Sequence, residues 1–305
     1  MDCLDALICI LFIVDNDPEY SGPASVGEVL ADLDLFLLQQ TMSDFLTKIV
    51  QTKKQEVEAA IREKPLRDLM KQADASPPPR DFLAPLRASP PIRLIAEVKK
   101  ASPSKGVIRE DFEPVQIAKW YAEAGASCIS VLTDARYFQG SLDYLAAIRQ
   151  AVDVPLLRKD FIVHPYQIFE ARVAGADAVL LIAECLNRQE LRGLFQLVQD
   201  LGMCALIELH TASNLDNVLN TGTELIGINN RDLKTFEVDL QHTIKIRKSI
   251  PVDKVVVGES GIYSREDALL LEKNMIQAML VGESLMRQSD VPGAVKGLLG
   301  ATTLA

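Results

Sequence analysis

The chain of 305 residues is 48% hydrophobic, enough apolar material for a folded core, so global disorder is excluded. Its formal net charge of −10 excludes a general nucleic-acid binder. Five scattered cysteines (Cys3, Cys9, Cys128, Cys185 and Cys204) form no C-x-x-C pair and no metal-like spacing, which suits a reducing cytoplasm and small core residues rather than a metal site.

Residues 1–41 carry Asp2, Asp5, Asp15, Asp17, Glu19, Glu28, Asp32 and Asp34 with no Lys or Arg, so they hold −8 of the charge and the remainder is nearly neutral. The apolar run at 4–14 is about half a membrane span and is interrupted by Asp5. A secretory signal needs a basic start, whereas the first basic residue is Lys48, and transit peptides are poor in acids. Two readings stand for 1–41: an acidic extension with a short amphipathic helix at 28–40, or a start-site artefact with Met42 as the true start. Residues 42–305 are expected to form one catalytic domain.

Ser43 and Asp44 make an N-cap region, and Leu46, Ile49, Val50, Val57 and Ile61 recur at helical spacing up to Lys64. Pro65 ends that helix, a second short one covers 66–73, and Ser76-Pro77-Pro78-Pro79 is a rigid connector. Apolar strands then fall at about 92–99, 127–132, 154–159, 177–182, 203–209, 224–229, 254–259 and 277–281. Amphipathic segments fill 114–124, 141–151, 165–174, 187–200, 211–220, 239–248 and 264–273, with a further helical region at the end. Gly125 and Gly175 stop helices just before strands. Eight strand–helix units predict an α/β fold, a (β/α)8 TIM barrel with extra N-terminal helices before its first strand. An open doubly wound sheet is the weaker alternative, because no G-x-G-x-x-G turn follows the first strand. Trp120 reads as packing on the first barrel helix.

In such barrels the reactive side chains stand at the C-terminal strand ends. Strand side chains alternate between faces, so Glu97 and Lys99 share the inner face of the first strand. Lys159 follows Leu157 on the third, Glu208 follows Leu206 on the fifth, Asn229 lies two residues past Gly227 on the sixth, and Glu259 follows Val257 on the seventh. Six polar groups thus point one way from five strands. A self-neutralising salt-bridge network is the inert reading, but buried ion pairs are poor sources of net stability. Mixed acids and bases at close range suit proton transfer. Glu259-Ser260-Gly261 and Gly282-Glu283-Ser284 follow the seventh and eighth strands, where barrels commonly bind phosphate, and Lys99 or Lys105 would attract the anion. His164 and His242 read as helix caps or decoration. His210 alternates to the other face and receives no role. No His-rich constellation appears at strand ends, so no metal is expected.

These segments resemble the indole-3-glycerol-phosphate synthase family of tryptophan biosynthesis. The resemblance rests on 95–106, on Ser130-Val131-Leu132-Thr133-Asp134 with Tyr137-Phe138-Gln139-Gly140-Ser141, on 156–162, on Leu206-Ile207-Glu208, on 226–233, on 259–262 and on 281–286. It runs from about residue 43 to the C-terminus and implies a TIM-barrel carboxy-lyase of the cytoplasm. That enzyme closes 1-(o-carboxyphenylamino)-1-deoxyribulose 5-phosphate to indole-3-glycerol phosphate, losing CO2 and water, without a cofactor. It further implies Lys159 as general acid, Glu208 as acid/base partner, Lys99 on the substrate carboxylate or exchanging roles with Lys159, and Glu97 positioning Lys99. Asn229, Glu259 and Ser260 would complete the catalytic set. Ser102, Pro103, Phe138 and Arg231 would touch the rest of the substrate, with Ser102 on a mobile first loop. Lys105, Gly261, Gly282, Glu283 (through its backbone) and Ser284 would receive the phosphate.

Glu283 departs from the family's small residue, so its carboxylate is expected to point away from the phosphate. A phosphoribosylanthranilate isomerase-like barrel is the rival enzyme, but its chemistry wants a Cys near the end of the first strand, which here ends Glu97-Val98-Lys99. A catalytically silent barrel acting as a binding subunit would predict loss of the charged set. The only partner expected is the small phosphorylated substrate, with neither nucleic acid nor membrane. The near-neutral body is compatible with a monomer or a weak homodimer.

Overall fold

Residues 44–232 and 237–300 are described by a computed structural model, all within the unit Met42–Ala305. The expectations for 1–41, for Met42, for Ser43 as a cap and for Leu233 lie outside the described residues, as do Cys3 and Cys9.

The strand–helix alternation closes into the expected barrel. Its strands are β1 (Arg93–Val98), β2 (Cys128–Leu132), β3 (Leu156–Lys159), β4 (Ala178–Ile182), β5 (Cys204–Leu209), β6 (Leu225–Asn229), β7 (Val255–Glu259) and β8 (Ala278–Val281). Each pairs in parallel with its neighbours, and β1 pairs with β8 to complete the ring. Helices cover the outside and side chains fill the inside, so strands such as β2, β4 and β7 are buried along their whole length. Gly175 takes φ +88 where the helix Pro165–Ala174 ends, a backbone state that glycine enters without strain. His164 caps that helix by accepting from Tyr166 N, as expected.

Departures from the predicted elements are local. The segment 211–220 splits into a 3-10 turn (Ala212–Asn214) and a short helix (Leu215–Leu219). Residues at the first loop form a short hairpin pairing Ala101–Ser102 with Gly106–Val107. A single helical turn at Ala84–Arg87 was not anticipated. Cys128 and Cys185 are buried in the core, and burial pushes both thiols up, which makes them inert. Trp120 packs on the core with the Arg109 guanidinium over its ring at 5.9 Å.

Before the barrel come α1 (Asp44–Glu63) and α2 (Leu66–Ala75). Leu46, Ile49, Val50 and Val57 are the buried stripe of α1, and Ile61 is partly buried against α2 and Tyr166. Two polar residues of α1, Thr52 and Lys53, are buried with it. Lys53 is 4% exposed, and its Nζ lies 2.8 Å from Asp134 and 3.0 Å from Asp160. Those aspartates follow β2 and β3, so the ion pairs tie α1 to two barrel strands. Asp160 Oδ2 also accepts from Thr133 Oγ1 (2.6 Å) and Arg158 Nη2 (3.0 Å), while Asp134 Oδ1 caps the turn at Tyr137 N (2.7 Å). Burial alone would raise the Asp160 carboxyl, but Arg158 and Lys53 outweigh it and hold the pKa at about 2.

Removing one partner from a buried pair leaves a stranded charge. Lys53→Met should therefore lower unfolding free energy by about 3–5 kcal/mol, read from urea denaturation near neutral pH. Because the folded pKa of Asp160 lies below its ordinary 3.8, its stabilisation is full above that value and disappears as pH falls through about 2. Asp160→Asn should flatten the fall in stability across that window; an unchanged acid limb would refute the assignment.

Candidate active site

Because parallel strands pair in register, residues facing inward on one strand neighbour inward residues on the next. Glu97 is registered with Ser130, Leu132 with Lys159, Ile182 with Glu208, Glu208 with Gly227, and Asn229 with Glu259. The six polar residues predicted at the strand ends thus enter one pocket at the C-terminal mouth. Lys159 stands at the centre of the set. Its Nζ is 2.9 Å from Glu208 Oε2 and 3.3 Å from Glu259 Oε2. Lys99 Nζ sits 2.7 Å from Glu97 Oε1, a second ion pair on the β1 side. Glu208 Oε1 accepts from Asn229 Nδ2 at 3.2 Å.

All three carboxyl groups are almost fully buried: Glu97 is 3% exposed, Glu208 2% and Glu259 1%. Burial would lower the Lys159 ammonium pKa, but Glu208, Glu259 and Glu97 outweigh it, so the amine stays protonated. Burial raises Glu208, yet Lys159 and His210 pull it well below the usual carboxylate range. Glu259 moves the other way. Burial and the adjacent Glu208 push it up to about 8 against the pull of Lys159, so it holds its proton at neutral pH. One ionised carboxylate and one neutral carboxylic acid thus flank the same ammonium, two carboxyls with distinct proton-transfer capacities.

Two glycines make room for this set. A Cβ on Gly227 would collide with Glu259 Oε1, and one on Gly282 would lie 2.5 Å from Glu97 Oε1. Gly282 was predicted for phosphate; its missing side chain also provides the space for Glu97. After β7 the backbone is left-handed at both Ser260 (φ +64) and Gly261 (φ +77), and Ser284 Oγ donates to Ile262 O at 2.8 Å, joining the two final loops.

Ser102, Pro103, Phe138, Arg231, Ser260, Gly261, Gly282, Glu283 and Ser284 all line the pocket. Lys105 does not: it is exposed on the hairpin turn. The Glu283 carboxylate is occupied by Arg287 Nε (3.2 Å) and Arg231 Nη2 (3.5 Å), arginines that counter the charge expected to repel an anion. Sequence reasoning missed Phe45, Leu46 and Ile49, by which α1 forms an apolar wall, and Phe161, which stands 6.1 Å from Phe138. It also misplaced His210. Strand β5 ends at Leu209, so face alternation no longer governs the next residue, and His210 Nε2 turns inward to lie 3.0 Å from Glu208 Oε1. His242, read as a helix cap or decoration, donates from Nε2 to His210 O at 2.6 Å.

The family model described as indole-3-glycerol phosphate synthase matches residues 46–298. Among curated proteins, the indole-3-glycerol phosphate synthase of Rhodopirellula baltica is 59% identical over 198 residues, covering 65% of this chain and 76% of its own. That of Azoarcus sp. is 48% identical over 264 residues, covering 85% of this chain and all of its own. Among solved structures, 3-hexulose-6-phosphate synthase aligns with TM-score 0.57 at 14% identity over 70% of this chain and all of that one, a likeness of fold.

Gly227→Ala should displace the Glu259 carboxylate and lower kcat about 100-fold, as misplacement near 1 Å commonly does. Steady-state kinetics check it, and a loss under about threefold would refute the close-packing account. Because the folded pKa of Glu259 is raised, its contribution to stability is full below its ordinary 4.5 and is lost as pH rises through about 8. Glu259→Gln should remove that loss, visible as a smaller fall in melting temperature between about pH 5 and 8.

Proposed function

The chain belongs to the indole-3-glycerol phosphate synthase family, and on that premise we propose how its pocket closes the indole ring of 1-(o-carboxyphenylamino)-1-deoxyribulose 5-phosphate. The observation that carries the reading is the Lys159 ammonium fixed between Glu208 and Glu259 at the barrel mouth.

The aromatic carbon bearing the carboxylate attacks the ketone carbon, and Lys159 delivers a proton to the ketone oxygen as negative charge develops there. Carbon dioxide then leaves, and its bonding electrons restore the ring π-system. In the last stage the new hydroxyl departs as water with a proton supplied by the acid and with a push from the ring-nitrogen lone pair. Glu208, ionised beside Lys159, receives the proton lost from the methylene carbon beside that nitrogen, whose C–H electrons form the new ring double bond. Glu259, protonated at neutral pH, and Asn229 and Ser260 orient the hydroxyl groups by hydrogen bonds. Lys99 holds the substrate carboxylate and is itself aimed by Glu97. Phe138, with Pro103 and Ser102 of the hairpin, encloses the anthranilate ring, and Arg231 adds positive charge at the rim.

The phosphate rests on the loops after β7 and β8, against backbone N–H groups of Gly261, Gly282 and Glu283 and the Ser284 hydroxyl. Backbone amides approach an anion closely where glycine omits the side chain. Lys105, exposed on its turn, has no place in this arrangement. No helix among the described residues is long and apolar enough to cross a membrane. A phosphorylated biosynthetic substrate and buried free thiols fit a cytoplasmic enzyme acting on a small molecule.

The test is indole-3-glycerol phosphate formation by the purified chain, followed by fluorescence. Folded wild type should turn over the substrate, and Lys159→Ala should lose at least about 100-fold in kcat. A folded wild type without turnover refutes the reading, whereas near-normal kcat in Lys159→Ala refutes only the acid assignment.

A further inference from the structure

His210 is a buried titratable side chain of the pocket, in direct contact with Glu208, to which the reaction above gives no part. Its side chain is 9% exposed, and Nε2 lies 3.0 Å from Glu208 Oε1, the oxygen that Asn229 also contacts. The other carboxylate oxygen, Oε2, faces Lys159. Glu208 therefore sits in a three-point cradle, and His210 supplies the side of it opposite the lysine.

The residue that provides this contact is itself anchored at both ends of its backbone. His210 N donates to Glu184 Oε1 at 2.8 Å, and His210 O accepts from His242 Nε2 at 2.6 Å. Glu184 lies in the 3-10 turn after β4 and is 3% exposed, and its Oε1 also receives Thr211 N and Asn214 Nδ2. This turn and the helix Leu240–Arg247 thus hold the first residue after β5 where no strand pairing would. His210 Nδ1 is buried and has no hydrogen-bond partner among the described residues. A neutral imidazole leaves that nitrogen bare as an acceptor and places its one N–H on Nε2, directed at the carboxylate.

We propose that His210 is a positioning residue for ring closure, fixing the Glu208 carboxylate opposite Lys159 through its Nε2–H and setting how readily that carboxylate accepts a proton. The titratable groups around the imidazole are Glu208 at the end of the preceding strand, Glu184 from the turn after β4, Glu259 from β7, and Lys159 beyond Glu208. The acids work against burial and raise the imidazole pKa. An imidazolium would grip Glu208 harder and lower its basicity, so protonation of His210 should slow the step in which Glu208 takes up a proton.

This inference rests on the reaction assigned above, and its test separates the two. His210→Ala should lower kcat about 10–100-fold with KM within about threefold, the pattern of lost positioning rather than lost binding. His210→Gln, which restores an N–H donor that does not titrate, should recover kcat to within about threefold and lack the acid limb that wild type shows. Kcat in His210→Ala within about twofold of wild type overturns the inference, as does His210→Gln equal to His210→Ala with the acid limb intact. Independent of turnover, 15N NMR should find the proton of neutral His210 on Nε2, with its titration moved to lower pH in Glu208→Gln. An Nδ1–H tautomer, or a titration indifferent to Glu208→Gln, overturns it even if wild type forms no product.

Discussion

Three carboxyl groups are packed at one depth inside an apolar barrel, and the rest of the structure answers to that constraint. An uncompensated buried carboxylate would cost several kcal/mol, so none of the three stands alone. Lys159 serves Glu208 and Glu259 together, Lys99 serves Glu97, and the remaining imbalance is met by a proton retained on Glu259. Electrostatics and chemistry coincide here: the arrangement that makes the cluster tolerable also yields an ammonium, an ionised carboxylate and a neutral acid within contact of one another.

Such a cluster needs rigid walls, because its ion pairs weaken quickly with distance. The closed barrel supplies them through strand register, and two glycines leave the needed volume: Gly227 for Glu259 and Gly282 for Glu97. The rim is held by separate devices. Lys53 binds α1 to the ends of β2 and β3, so Phe45, Leu46 and Ile49 become a fixed wall of the pocket. On the opposite side, Ser284 joins the loops that follow β7 and β8, and Glu283 is held between Arg231 and Arg287. The polar interior and its polar supports together cost stability that the apolar shell between strands and helices offsets.

Much of this was legible in the residues. Inside a strand the side-chain period is two, so Glu97 and Lys99, or Leu206 and Glu208, had to share a face wherever the strand lay. Gly175 announced its helix end, and His164 its cap, through chemistry confined to a few neighbours. Where local periodicity stopped, prediction stopped with it. His210 was put on the wrong side because β5 ends one residue earlier, and Lys105 was drawn toward the phosphate by its charge although the hairpin turn leaves it exposed. Lys53 looked like an ordinary helix lysine, since its partners Asp134 and Asp160 are some 80 to 110 residues away in the chain.

The sequence by itself determined the alternation of strands and helices, the faces of the residues within each strand, and the family to which the motifs pointed. These depend on spacing and on residue type, both of which are local. Only the tertiary structure decided which acid meets which base, which carboxyl keeps its proton, and that a helix ahead of the barrel and a histidine beyond a strand end complete the pocket. Those outcomes depend on distances between segments remote in the chain, and on burial, which acts on a charge only after the segments have packed.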